Sequence, residues 1–396
     1  MYVCPTSAHR GFRYEYRRYK DNTFTLKTTL FGWQSMISRF DLTLSNINMS
    51  KNSTFVWFFF LKSLYYQWLF VSLQHENPPS LSTMLKCAGR FCFYRYMATK
   101  IPFIKTYSTP QELVQLLKTR GMEITDEEKA QHYLSHIGYY RLSAYMYPLL
   151  SIPKEQHLFK RGVSFGKVMM LYRFDKKLRL LLFNEIEKIE VAVRCAIVNF
   201  GTEMTGNPFW MTDANNFSNP FKFNRSIRLI EDELNHTKED FINHFKETYT
   251  NQYPPSWMLT EILPFGVITN VYSNIKNKKI KKRIAQSFGL QVAPFESWLT
   301  IITVTRNSCC HHARVWNRVF SIRATMPIRM SRPWITLPTD PLKVYFDMCI
   351  IKYFLDIISP NNDMLDKMNR LFATFPEVDK AALGFPSGWD NEPLWQ

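Results

Sequence analysis

One stretch constrains the fold of this chain more than any other. After Ser164 the sequence runs FGKVMMLYRFDKKLRLLLFNEIEKIEVAVRCAIVNFGTEM. Within it Leu171, Phe174, Leu178, Leu182, Ile186, Ile189 and Val193 recur at steps of three and four. That period lays large apolar side chains along one side of a single long helix, as one continuous buried stripe.

The flanking sequence is punctuated for helices as well. Thr109-Pro110-Gln111-Glu112 is a capping box with Pro at N1, and Gly121 ends the helix it opens. Thr125-Asp126-Glu127-Glu128 repeats the box and opens a helix to about His136. Gly138 breaks it, and YYRLSAYMYPLL reads as a third, short helix stopped near Pro148. A polar, aromatic loop at 205–222 holds Gly206, Pro208 and Pro220. Helices are then expected at about 223–236, 238–249, 256–275, 278–287 and 293–309. Asp340 and Pro341 set the N-cap and N1 of another, and a last helix runs from about 361 to 375. The tail GFPSGWDNEPLW is too rich in Pro, Gly and Trp for a helix and reads as a packed extended strap. There is no strand series and no internal repeat, so the fold class is all-α.

Composition shifts abruptly before Met97. Residues 1–96 hold 12 Lys or Arg against 4 Asp or Glu, and 22 of the chain's 62 aromatic residues. Their strongest feature is FVWFFFLKSLYYQWLFVSL at 55–73, long enough to span a bilayer but with Lys62 near its middle. Three readings stand for this extension: a membrane anchor, a poorly structured accessory segment, or an over-long gene start with Met97 as the true first residue. The organisation expected is thus 1–96 as an atypical aromatic and basic extension, then 97–160 as an N-terminal helical subdomain. A helical core at 161–330 follows, and 331–396 carries C-terminal helices and the Trp/Pro tail.

The chain carries 50 Lys plus Arg against 33 Asp plus Glu, net +17, which points toward a polyanion. The scarcity of glycine, 13 in all, argues against a P-loop or a dinucleotide-binding turn. Seven scattered cysteines (Cys4, Cys87, Cys92, Cys195, Cys309, Cys310, Cys349) make no disulfide framework and no zinc spacing. A reducing cytoplasm suits them best.

Candidate chemistry concentrates in VTRNSCCHHARVWNR. Arg306 and Asn307 are followed by His311 and His312, then Arg314. Histidine can exchange a proton near neutral pH, and the arginine fork matches phosphate oxygens. Together they suffice for metal-independent cleavage of RNA, with the ribose 2′-OH as nucleophile. No carboxylate cluster for two metals and no G-x-S-x-G elbow is visible, so neither a metal nor a cofactor is expected. A bare Arg-Asn-x-x-x-His pattern is also compatible with a helix end capped by cations. Arg306 and His311 lie about 140° apart on an ideal helix, so they share a face only if the helix ends or kinks between them.

Together with YLSHIGYYRLSAYMYPL, LYRFDKKLRLLLFNEIEKIEVAVR and PPSWMLTEILPFG, the segment RNSCCHHARVWN resembles the Abi-like family of bacterial abortive-infection, phage-resistance proteins. The likeness covers about 97–396 with the motifs in order. It implies membership of the HEPN superfamily, hence a HEPN-like helical bundle with additional N- and C-terminal helices. It also implies an Arg-x-x-x-x-His ribonuclease motif whose ends fall on Arg306 and His311, with Asn307 as the polar second position and His312 as a substitute. In that superfamily two motifs meet in one cleft, which implies a homodimer. RNA is the expected partner, a small RNA or a phage-derived factor the possible trigger, and no membrane is expected for 97–396. The alternative is a non-catalytic RNA- or protein-binding module.

Other residues carry two readings each. Glu187, Glu190 and Arg194 form an intrahelical ion ladder, or else Glu190 or Arg194 lines the cleft and orients His311. Tyr139, Tyr140 and Arg141 either pack helices or stack and clamp RNA. Lys276, Lys278, Lys279, Lys281, Lys282 and Arg283 form either a solvated surface or a phosphate track, and Arg314 is a further RNA-binding candidate. The motif helices and the stripe on 165–203 are the expected dimer elements.

Overall fold

Side chains that satisfy free amide groups decide where five of the twelve described α-helices begin. In the computed structural model, which describes residues 102–104 and 106–396, Thr109 caps α1 (Pro110–Thr119) and makes the reciprocal box with Glu112. Asp126 alone caps α2 (Glu127–Ile137), accepting from Lys129 N; Thr125 lies one residue too early for the box expected there. Gly138, at φ 87°, turns the chain directly into α3 (Tyr139–Met146). The expectations for 1–96, including 55–73 and a start at Met97, lie outside the described residues.

Ser164 caps α4 (Phe165–Thr205), and Gly206 closes it in the left-handed region. All seven stripe residues are buried, none more than 3% exposed. Fully burying such side chains stabilises by about 1.5–3 kcal/mol each. The stripe is covered within the chain itself. α4 packs against α3 and against α7 (Ser256–Ile262), α8 (Phe265–Asn274), α9 (Lys278–Ser287), α10 (Val292–Cys310), α11 (Val344–Ile358) and α12 (Met364–Thr374). It is therefore the axis of one unit, 106–396, and its stripe cannot also serve as a surface between chains. Between α4 and α7 lie α5 (Pro220–His236) and α6 (Asp240–Thr248).

Three boundaries differ from expectation, each for a local reason. α5 starts at Pro220, because Asn219 caps it and Pro at N1 needs no amide partner. The helix expected over 256–275 is two helices, since Pro264 has no N–H to give Thr260 O and the chain extends at Leu263. Asp340 makes a turn to Leu342 N at 2.9 Å rather than a cap, and α11 begins at Val344. The tail packs as expected, but in short 3₁₀ turns. Phe385, Trp389 and Trp395 are buried around Tyr345, whose hydroxyl accepts from Trp395 Nε1 at 3.1 Å. Glu392 receives the amides of Thr336 and Leu337, tying the tail to the long loop after the motif.

The described residues form an all-α fold: twelve α-helices and short 3₁₀ turns, with only isolated β-bridges. No helix among them is long and apolar enough to cross a membrane.

Gly201, within α4, admits the indole of Trp210 where a Cβ would collide with the ring. Gly201→Ala should destabilise by about 1–3 kcal/mol through overpacking despite better helix propensity. For a unit of this size that is a fall in Tm of several degrees, read by thermal denaturation.

Candidate functional site

The Arg306-Asn307-x-x-x-His311 segment sits on the last turn of α10 and runs off its end. Trp298, Leu299, Ile302, Thr305 and Cys309 anchor the helix in the core, which leaves Arg306 half-buried and Asn307 exposed. His311 is the C-cap, its N–H donating to Asn307 O at 3.0 Å. His312 follows in the left-handed region at φ 56°. Its N–H reaches Cys309 O at 3.2 Å, and Ala313 N reaches Ser308 O at 2.9 Å. This is a Schellman ending with His312 at the position usually held by glycine. The helix runs to Cys310 with His311 still bonded in its register, so the left-handed break falls at His312, one residue beyond the Arg306–His311 spacing. A non-glycine residue in this conformation costs roughly 1–2 kcal/mol. Arg141 of α3 steadies it by donating to His312 O at 2.9 Å.

Arg306 is positioned from α4. Its Nε lies 3.4 Å from Glu190 Oε2, and its guanidinium sits 5.9 Å from the centroid of Phe183. It donates to Asn307 Oδ1 at 3.4 Å. Glu190 in turn pairs with Arg194, which is held elsewhere. Arg194 Nη1 donates to Thr260 O and, at 2.7 Å, to Leu263 O. Those are carbonyls freed at the α7–α8 break, so Arg194 stands in for the N–H that Pro264 lacks. The ladder expected of Glu187, Glu190 and Arg194 is thus half formed: Glu190 and Arg194 pair, Glu187 is exposed, and Glu190 faces Arg306 rather than His311.

The chain beyond the motif is tied back by a buried carboxylate that the sequence did not single out. Asp175 of α4 accepts the amides of Val315 and Trp316 at 3.0 and 2.6 Å on Oδ1. On Oδ2 it takes the Tyr145 hydroxyl at 2.6 Å and the Arg179 guanidinium. Burial, reinforced by the Asp175 charge, raises Tyr145 well above its ordinary value, so it remains a donor. Burial alone would lower Arg179, but Asp175 together with Tyr145 and Cys309 outweighs it and holds the guanidinium up. Behind the motif, Thr305 donates to Asp347 Oδ2 at 2.7 Å, and burial pushes this carboxyl up to about 7. Burial likewise pushes the Cys309 thiol up to about 12, so it is no nucleophile at neutral pH.

A cavity of about 530 Å³ opens between α3, α4 and the end of α10. Arg141, Lys176 and His312 line it, with Tyr172, Leu180 and Phe183. Of the tyrosines flagged with Arg141, Tyr139 accepts from Arg120 at 3.0 Å and Tyr140 is 92% exposed.

The basic run lies elsewhere. Lys278, Lys279, Lys282 and Arg283 are exposed on α9, with Arg283 over the Phe200 ring. Lys281 is turned inward to pair with Glu296 and donate to Ser273 O at 2.9 Å. Lys278 and Lys282 border a second cavity, about 780 Å³, at the start of α10. About 20 Å of helix separates that end from Arg306. Arg314 is half-buried and donates to Ala144 O at 2.7 Å; burial lowers its guanidinium.

Residues 132–317 match the family model described as Abi-like protein. The match spans the second half of α2, all of α3 to α10, the motif and the loop held by Asp175. Neither the curated proteins nor the solved structures contain a match to the chain.

Two outcomes follow from these contacts. His312→Gly should raise stability by about 1 kcal/mol in denaturant unfolding, because glycine takes the left-handed cap without strain. Asp347 binds its proton more tightly folded than unfolded, so its contribution is present at acid pH. That contribution declines as pH rises from about 4 and is lost through about 7, by at most about 1.4 kcal/mol per pH unit. Asp347→Asn should remove this dependence, making the variant relatively more stable at pH 8 than at pH 5 in paired melts.

Proposed function

With an Abi-like protein over residues 132–317 as the premise, we propose that this chain is an abortive-infection defence protein of HEPN type, acting as a metal-independent endoribonuclease. The observation that carries the reading is the Glu190–Arg306 pair at the end of a helix that breaks directly into two histidines. A cation held by a carboxylate from another helix is preorganised, as transition-state stabilisation requires. A histidine kept in a left-handed cap where glycine would be less strained is the kind of local cost found at functional sites.

The reaction follows from these groups. The ribose 2′-OH attacks the adjacent phosphorus while a histidine takes its proton. The Arg306 guanidinium meets the charge that gathers on the non-bridging oxygens. The 5′-oxygen leaves with a proton from a second acid, giving a 2′,3′-cyclic phosphate and a 5′-hydroxyl. Acceptor and donor work on opposite sides of phosphorus, so one histidine serves both poorly. Two motifs related by a two-fold axis supply the pair, which makes the active species a homodimer. Glu190 beside each Arg306 lowers the repulsion of bringing the two cationic motifs together. The interface lies at the motif ends, since the α4 stripe is internal. RNA extending from the motif toward Lys278, Lys279, Lys282 and Arg283 would follow a cationic surface, with a cytoplasmic site of action.

Arg306→Ala and His311→Ala should each cut RNA at least about a hundredfold more slowly, the range for loss of one acid–base or charge-stabilising group. Cleavage by the parent should persist in EDTA and leave 2′,3′-cyclic ends. Mixing the two inactive variants should restore part of the activity if sites are shared. A double variant that cuts RNA as fast as the parent refutes the assignment. Tight, salt-sensitive RNA binding without cleavage makes the chain a binding module instead.

A further inference from the structure

We propose that the cavity beside the motif is a nucleoside pocket, which seats the base next to the phosphodiester being cleaved; this rests on the ribonuclease reading and names its substrate subsite. Its volume of about 530 Å³ lies within the range of small-ligand sites, about 300–1,000 Å³. The walls are flat and apolar where solvent reaches them. Leu180 and Phe183, three residues apart on α4, remain 60% and 38% exposed at its edge, with Tyr172 about two turns before Leu180. Three-residue spacing puts neighbouring side chains on the same helix face.

The rim is positive and uncompensated. Lys176 is exposed, with no ion pair or side-chain hydrogen bond among the described residues. Arg141 spends one of its five N–H donors on His312 O. Among the described residues no carboxylate lines the cavity; Asp175, beside it, is occupied by Arg179, Tyr145 and two backbone amides. An aromatic and aliphatic wall under two available cations fits a planar base that carries a phosphate. The second cavity has the cations without the aromatics, Lys278 and Lys282 bordering Leu290 and Val292. That chemistry suits a passing backbone and not a base.

The link to the reacting groups is direct. Phe183 lines the pocket and also carries Arg306 near its ring; His312 lines the pocket from the strained cap. A base stacked against Phe183 would bring its flanking phosphate to the Arg306 side. The pocket would thus set which nucleotide flanks the cut, and His312 would face that nucleotide.

The test is calorimetric titration of the full chain with each of the four nucleoside 3′-monophosphates and, separately, with inorganic phosphate. At least one nucleotide should bind about tenfold or more tighter than phosphate. Lys176→Ala, an exposed change that the fold tolerates, and Phe183→Leu, which keeps an apolar contact, should each weaken it about tenfold, the scale of one base stack or one charged contact. Equal binding of phosphate and nucleotides overturns the nucleoside pocket, as does binding that both substitutions leave unchanged or no binding at all. RNA cleavage by the same preparation reports separately on the parent reading. A chain that cuts RNA but fails the titration loses only the pocket. A chain that passes the titration but cuts nothing keeps a nucleotide pocket but loses the ribonuclease, and with it the pocket's place beside a cleaved phosphodiester.

Discussion

The Asp175 carboxylate holds the working end of this molecule together. It is fully buried, and it is matched by two backbone amides, a tyrosine hydroxyl and an arginine. A buried charge survives in a folded protein only with such saturation, because its desolvation costs several kcal/mol. The partners come from three places in the chain: α3 through Tyr145, α4 through Arg179, and the loop after the motif through Val315 and Trp316. Saturating one carboxylate therefore fixes the cavity wall, the long axis and the exit of the motif relative to one another. Remove the charge and Arg179 is left buried without its counter-ion, so the cost is shared by all three.

A second chain of dependence runs through Pro264. Its missing N–H ends α7 and leaves carbonyls that need donors. Arg194 supplies them and is thereby immobilised. An immobilised Arg194 holds Glu190, and Glu190 holds Arg306. The orientation of the motif arginine is thus set partly by a proline more than forty residues before it. The Arg194 links are charge-assisted hydrogen bonds, which carry geometry as well as energy. The last link, from Glu190 to Arg306, is an ion pair in which Arg306 Nε makes no hydrogen bond among the described residues. Left-handed strain falls at His312, at the open end of the motif, as it also does at His157 and Asn317.

Much of the scaffold was legible from residue types alone. The stripe from Leu171 to Val193, the caps at Thr109 and Ser164, and the stop at Gly206 act within a turn or two of themselves, and the folded chain keeps them. Errors arose where two local signals competed. Apolar periodicity ran straight through Pro264, yet the lost N–H prevailed. Asp340 with Pro341 looked like a helix start, but the aspartate spent its oxygen on a turn at Leu342. Of the site, the crowding of Arg306, Asn307, His311 and His312 was visible, as was the need for a break between them. Asp175 was not, because in sequence it is one charged residue on a helix edge, and what distinguishes it is the loop 140 residues later that folds over it.

By itself the sequence determined the helix content, the long axis and its buried face, and the place where acid–base and cationic groups gather. These follow from propensity, period and capping, which are interactions between near neighbours in the chain. Tertiary structure alone decided which cations remain free. Arg194, Arg314 and Lys281 read as equals of Lys278 and Arg306, but each is consumed by a carbonyl or carboxylate that folding brings within reach. It also decided that Glu190 serves Arg306, and that the aromatic wall of Tyr172 and Phe183 stands beside the exposed Lys176. Such pairings depend on the distance between helices in space, and that distance is set by how the core packs around α4.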